Sequence, residues 1–349
     1  MPDTERTETS RTEHPNTTAA ALRRRTVLAG LGTAAVGGMG VAGATDARGG
    51  PRSTRNERSE RASGGEAPTI IAHRGFAGCY PENTVGAVAA AAKGGRSATA
   101  PSRGADTIEI DVIPTADEDV VVFHDSGLSE RDGGERGLTD VDGLVWETDT
   151  ATVTNAEVLE SGETVPTLRE TLDAIPTGVA VNVELKNPGS SDLRFAANLD
   201  GDELATQKDV WRPFVERVLS IVDDYDHRFL FSSFYEAALA TTREASDYAV
   251  APLLWDSIED GLDIARTYDA EALHPPYNMV RGTPFFADPY YTEGSDWTDT
   301  DLVATAHDEG RDVNVYTLAT WYQAEQLAAA GVDGLIADYP DLLRFGSSA

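Results

Sequence analysis

Thr107-Ile108-Glu109-Ile110-Asp111-Val112 alternates apolar and charged side chains, and Val181-Asn182-Val183-Glu184-Leu185-Lys186 repeats the pattern further along the chain. Period-2 alternation puts Ile108, Ile110 and Val112 on one face of a strand and Glu109 and Asp111 on the other. In the second run Val181, Val183 and Leu185 oppose Asn182, Glu184 and Lys186. Solvated acids do not normally alternate with β-branched residues inside the core strands of a parallel sheet. A closed barrel accommodates both sets: the apolar one packs under helices, and the polar one points into the lumen near its top.

Working outward, short apolar runs at 69–73, 107–112, 179–185, 229–232, 250–254, 271–274, 312–317 and 334–337 read as strands. Helical patterns fall between them, at 83–93, 167–174, 211–224, 235–245, 257–267, 299–309 and 321–330. Eight strands with intervening helices predict an α/β fold, a (β/α)8 TIM-type barrel. A doubly wound open sheet is the runner-up, but no dinucleotide glycine fingerprint follows any strand. Residues 94–103 lengthen a link on the bottom of the barrel. Residues 113–166 form an insertion after the second strand, with a hairpin-like Val120-Val121-Val122-Phe123, on the top face where it can cover a site.

The first 67 residues stand apart from this pattern. Arg23-Arg24-Arg25-Thr26-Val27-Leu28, before a mildly apolar stretch to Ala44, resembles a twin-arginine export signal. Residues 1–44 are therefore expected to be a cleavable signal that takes the protein to the cell surface or beyond. Residues 45–67 read as a disordered polar linker, and 68–349 as one domain. That domain is extremely acidic. Ten of the 28 basic and eight of the 59 acidic residues precede it, leaving 18 against 51. Such a field excludes nucleic acid and anionic membrane surfaces as partners, and no stable membrane insertion is expected after signal cleavage. Only Lys93, Lys186 and Lys208 occur, and acid excess with scarce lysine resembles proteins of salt-loving archaea. Cys79 is the only cysteine; it rules out an intramolecular disulfide and reads as small-residue packing in a βα turn rather than as a nucleophile.

On the polar faces, Glu109, Asp111 and Glu184 converge with Lys186. Burying three like charges is prohibitive unless a cation neutralises them. All-oxygen donors favour one hard divalent ion, Mg²⁺ or Ca²⁺, over zinc. His73 and His124 each end a strand-like run beside this cluster and fit a general acid and base pair. Arg74 offers a planar fork for phosphate oxygens and Lys186 a point charge. Pro81-Glu82-Asn83-Thr84 opens the first helix, whose amides are expected to face an anion. Tyr277, Phe285, Phe286, Tyr290, Tyr291 and Trp297 form either an apolar wall for an alcohol or lipid-derived group, or a lid packed on itself.

His73-Arg74-Gly75, Pro81-Glu82-Asn83-Thr84, Ile108-Glu109-Ile110-Asp111-Val112, His124-Asp125, Val165-Pro166-Thr167-Leu168 and Glu184-Leu185-Lys186 resemble the signature of glycerophosphodiester phosphodiesterases. Ser232-Ser233-Phe234, Val315-Tyr316-Thr317 and Asp333 to Pro340 extend the likeness, which runs from residue 69 to about 345. The resemblance implies a barrel that hydrolyses a small-molecule glycerophosphodiester to glycerol 3-phosphate and an alcohol, with Mg²⁺ or Ca²⁺. It makes His73 and His124 the acid–base pair, Glu109, Asp111 and Glu184 the metal ligands, and Arg74 and Lys186 the phosphate contacts. Tyr316 replaces the family's usual tryptophan at the glycerol end of the substrate, as a substrate-binding residue. Ala337 replaces a common threonine before Asp338, and the asparagine usual after the Tyr316 strand is missing from Thr317-Leu318-Ala319. The rival readings are a related barrel phospholipase that releases a cyclic phosphate, and a catalytically inactive exported binding protein.

Overall fold

The computed structural model describes residues 67–93, 96–97, 100–101, 104–131, 136–196, 198–289, 297 and 300–343. The expected signal (1–44) and all but the last residue of the expected linker (45–67) lie outside the described residues.

The strands are β1 (Thr69–Ala72), β2 (Arg96–Ser97), β3 (Ala100–Pro101), β4 (Thr107–Pro114), β5 (Val120–Val122), β6 (Ala180–Leu185), β7 (Phe229–Ser233), β8 (Ala249–Pro252), β9 (Ala272–Leu273), β10 (Asp312–Leu318) and β11 (Gly334–Ala337). Eight of them form parallel ladders in the order β8-β7-β6-β4-β1-β11-β10-β9. The two ends meet through a parallel bridge between Leu253 and His274. There the backbone N–H of Leu254 donates to the carbonyl of His274, and that of His274 to the carbonyl of Pro252, each at 2.9 Å. This seam closes the ring into the expected (β/α)8 barrel, and each expected strand is present. The weakest is β9, two residues long, which is why the seam is a bridge and not a ladder.

Helices α1 (Val85–Lys93), α2 (Thr150–Asn155), α3 (Leu168–Ala174), α4 (Gly201–Val222), α5 (Glu236–Ala245), α6 (Ile258–Thr267), α7 (Leu302–Asp308) and α8 (Trp321–Ala329) accompany the strands. Local signals start several of them. Thr167 and Thr320 head α3 and α8 with complete capping boxes, answered by Glu170 and Gln323. Ile108, Ile110, Val112, Val181, Val183 and Leu185 are all buried in the main core, with Trp211, Phe214 and Val218 of α4 in the same cluster. The other face of β4 and β6 is free to line the lumen.

The insertion after β4 folds back at once: β5 pairs antiparallel with the end of β4, Val112 opposite Val122. Ile113, Val121, Phe123, Leu128 and Val145 give it a small core of its own. On the bottom face, β2 and β3 pair antiparallel within the 94–103 link. Among the described residues no helix is long and apolar enough to cross a membrane.

Candidate active site

Parallel register brings the acidic faces together. Glu109 of β4 pairs with Asn182 of β6, and Asp111 with Glu184. All three carboxylates are buried, and one oxygen from each lies within 4.8 Å of the others. Glu109 Oε1 and Asp111 Oδ1 are buried without a hydrogen-bond partner. Burial, then the charges of Asp111 and Glu184, push the Glu109 carboxyl well above its usual range. Burial also raises Glu184, with Asp111 adding to the effect and Lys186 opposing it. Burial works against ionised Asp111 too, but Lys186, Arg74 and Asn83 outweigh it and hold this carboxylate below the usual range. Three oxygen donors, two of them with orphaned atoms, in a crowd that resists full ionisation make a site that a hard divalent cation fits.

The turn after β1 supplies the cationic side. Arg74, Gly75 and Phe76 all have positive φ, at 50°, 76° and 69°. Two non-glycine residues in this region cost about 1–3 kcal/mol each. The turn is held by the Arg74 backbone N–H, which donates to Glu109 Oε2 at 2.8 Å. Gly75 is required: a Cβ there would lie 2.9 Å from Ala87 Cβ and 3.0 Å from the Ala87 carbonyl carbon. Arg74 Nη1 donates to Glu82 Oε1 at 2.7 Å, and its Nε stands 3.3 Å from Asp111 Oδ2. Lys186 Nζ donates to Glu184 Oε1 at 2.6 Å and lies 3.7 Å from Asp111 Oδ1. The two residues expected to meet phosphate thus already offset part of the charge of the acidic cluster.

Both histidines are oriented by carboxylates. His73 Nδ1 donates to Asp338 Oδ1 at 2.7 Å, and His124 Nδ1 to Asp125 Oδ1 at 2.9 Å. Each bond leaves Nε2 for proton transfer. Burial, then the positive charges of Arg74, Lys186 and His73, hold His124 well below the usual histidine range.

Several residues that complete the site carried no assigned role in the sequence. Asn83 Nδ2 donates to Asp111 Oδ2 at 2.8 Å, and its Oδ1 accepts from the Asp111 backbone at 3.3 Å. Arg131, from the insertion, donates to Glu82 Oε2 at 2.8 Å and stands 3.5 Å from Asp125 Oδ2. One arginine therefore braces the partners of both Arg74 and His124. Asp125 and Asp338 stood inside recognisable motifs, and Asn83 inside the helix-opening run. Arg131 had no local signal, since only the folded insertion brings it in.

Two expectations need correction, and one choice left open is narrowed. The first turn of α1 does not await an external anion: Gly86 N–H donates to Glu163 Oε2 at 3.1 Å and Ala87 N–H to Thr84 Oγ1 at 3.2 Å. Cys79 is exposed rather than packed, because the turn carries it past the strand end. Of the two readings for the aromatic stretch after β9, the described rings favour the one in which they pack on one another. Tyr277 and Trp297 are buried, Phe285 meets Tyr277 and Tyr322 edge-on at 5.7 Å, and Tyr290 and Tyr291 lie outside the described residues. Tyr316 is buried, its hydroxyl donating to the Leu254 carbonyl and its ring edge-on to Phe234 at 5.9 Å.

His124, Glu184 and Lys186 open onto a cleft of about 230 Å³, whose remaining lining includes Phe195, Phe234, Tyr235 and Trp255. Loops at the C-terminal ends of β6, β7 and β8 supply these rings, as expected of a barrel's active face.

Comparison with known proteins agrees with this geometry. A glycerophosphodiester phosphodiesterase of Bacillus altitudinis is 27% identical over 278 residues, 78% of this chain and 95% of that one. The structure of an Oleispira antarctica phosphodiesterase in complex with the product sn-glycerol-3-phosphate superposes with a TM-score of 0.58 at 23% identity, over 80% of this chain and 96% of that one. A glycerophosphodiester phosphodiesterase from Thermotoga maritima gives 0.56 at 21%, over 80% and 98%; at these identities the two structures establish the shared fold. The model of the glycerophosphoryl diester phosphodiesterase family matches residues 73–342, a span that takes in every barrel strand after β1 and the whole acidic cluster, and the chain belongs to that family.

Proposed function

We propose that the protein is an exported, metal-dependent enzyme that hydrolyses glycerophosphodiesters to glycerol phosphate and an alcohol, with His73 and His124 as its acid–base pair. The observation that carries this reading is the pair of carboxylate-oriented histidines beside a buried cluster of three acids. Glu109, Asp111 and Glu184 would hold the cation, Mg²⁺ or Ca²⁺. Bound there, such an ion supplies neutralisation of the charge that grows on phosphoryl oxygens.

The chain's own residues do the rest. Arg74 and Lys186 stand at the edge of the acidic cluster, where a phosphate can share their donors. Neutral His124 suits the role of proton acceptor from the nucleophile, and His73 then donates to the leaving alkoxide. Asp125 and Asp338 fix the reacting nitrogens. The Phe234 and Tyr316 rings give the glycerol carbons an apolar seat. Export through Arg24-Arg25 and the carboxylate-rich surface suit release into salt-rich surroundings.

The test is glycerol phosphate release from glycerophosphocholine by the purified protein in high salt, with EDTA and with Mg²⁺ or Ca²⁺ restored. Release that EDTA abolishes and one ion restores is expected. A folded protein that cleaves no glycerophosphodiester under any of these conditions would overturn the reading.

A further inference from the structure

Glu109 Oε1 and Asp111 Oδ1 are not alone among the buried oxygens without a hydrogen-bond partner on the lumen side of β4, β6 and β7. Asn182 Oδ1 and Ser232 Oγ are two more, and they carry no charge. Both side chains are sealed from solvent, at 2% and 1% exposure. A buried acceptor left unpaired is costly. The next hydroxyl along β7 shows the usual arrangement: Ser233 Oγ donates to the Leu185 carbonyl at 2.8 Å and accepts from the Tyr235 N–H at 3.1 Å.

Register places the pair beside the acids. Asn182 is the partner of Glu109 on β4, and Ser232 is the partner of Glu184 on β6. Phe231 is buried in the main core under the helices, so Ser232 turns inward, to the face that Asn182 and Glu184 share. Adjacent strands lie about 4.8 Å apart, and Asn182 stands two residues, about 6–7 Å, below Glu184 along β6. Ser232 carries its oxygen one bond beyond Cβ, whereas the Glu184 carboxylate lies further out on its side chain. Both neutral oxygens therefore stand behind the carboxylates, where they face the water on an ion rather than the ion itself.

A hard divalent cation takes six or more oxygens, and three carboxylates supply only part of that number. Mg²⁺ in particular gives up water reluctantly and keeps several molecules in an octahedral shell, whereas Ca²⁺ takes six to eight ligands in a flexible arrangement. Water polarised by an ion points its protons outward and needs acceptors there. We infer that Asn182 and Ser232 accept those hydrogen bonds, so that they position the hydrated cation and tune the site for Mg²⁺ over Ca²⁺. The inference rests on the metal site of the proposed function and goes beyond it in naming two uncharged residues and the ion they favour.

The experiment titrates magnesium chloride, and separately calcium chloride, into the full chain stripped with EDTA and dialysed in high salt, with calorimetry as the readout. The parent is compared with Asn182→Leu and Ser232→Ala. Mg²⁺ affinity should fall about 10–100-fold in each variant, and Ca²⁺ affinity by about threefold or less. Melting without divalent ions separates this role from a structural one, since removing an unpaired buried oxygen should leave Tm level or raise it. An Mg²⁺ affinity within about threefold of the parent in either variant overturns the inference. So does an equal loss for both ions with a lower Tm in their absence, the mark of a structural role. If Asn182→Leu does not fold, Ser232→Ala decides by the same criteria. A parent that binds Ca²⁺ but not Mg²⁺ overturns the inference and leaves the proposed function standing. A parent that binds neither ion overturns the metal dependence on which both rest.

Discussion

His73 and His124 each give Nδ1 to a carboxylate, so their chemistry is concentrated at Nε2. Replacing His124 by Ala should lower kcat by about 10²–10⁴-fold, the usual worth of positioned proton transfer. Divalent-ion affinity, measured by calorimetry, should stay within a few-fold; a variant with parental kcat would remove His124 from the reaction. Glu109 supports a second prediction, through its proton. Its carboxyl is raised above the ordinary 4.5 by burial and by two neighbouring acids, so it contributes stability below that pH and loses it as pH rises through the raised value. A cation that needs the carboxylate must displace that proton. The gap in melting temperature between metal-loaded and EDTA-treated protein should therefore widen with pH from about 4.5 upward, and Glu109→Gln should cost about tenfold or more in ion affinity. A gap independent of pH would remove Glu109 from the ligand set. The carboxylates and histidines were legible in the sequence because each sits at a strand end or in strict alternation. Asp338 as the partner of His73 was not, since that contact joins the last strand to the first and exists only once the ring has closed.

Gly75 shows how an element boundary builds the site. β1 ends at Ala72, and the three left-handed residues that follow turn the chain so sharply that Arg74 reaches back over Glu109 and Asp111. Gly75→Ala would place a methyl 2.9 Å from Ala87 Cβ in a conformation that side chains avoid. It should cost about 1–3 kcal/mol in urea unfolding and lower kcat as well, because relief of the clash moves Arg74. A variant of unchanged stability would mean that the turn does not depend on this glycine. Elsewhere the legibility of elements follows their signals. The eight strands were readable from apolar runs. Helix α4 was expected from 211 but begins at Gly201, capped by Asp200 with Asp202 and Glu203 in its first turn. Pro213 lies inside this helix, where a proline removes one backbone donor. Helix α2, Thr-Ala-Thr-Val-Thr-Asn, has too few apolar positions to show a period, and only the Asp149 cap marks it.

The barrel carries its candidate catalytic residues on one face, while its excess of acid runs through the sequence, and the two have different origins. Many arginines on the surface are already paired, as in Arg136–Glu160, Arg169–Asp224 and Arg266–Glu309. With 18 basic against 51 acidic residues from 68 onward, most of the acidic side chains still have no cation to pair with. Their mutual repulsion falls on the folded state, where they are held closest. Screening shortens its reach from about 10 Å at 0.1 M salt to about 3 Å at 1 M. Folding stability should therefore rise steeply with salt up to about 1 M. In a domain of this size each kcal/mol of relieved repulsion raises Tm by roughly 2–4 °C, so a gain of roughly 5 °C or more is expected between 0.1 and 1 M. Sodium and potassium chloride should act alike, since screening depends on ionic strength and not on the ion. The measurement is a set of melting curves in both salts with EDTA present, which keeps the acidic cluster of the barrel free of divalent ions. A Tm that is flat or falls with salt would show that the surface carboxylates do not repel enough to matter, and would remove the physical basis for reading this composition as an adaptation to brine.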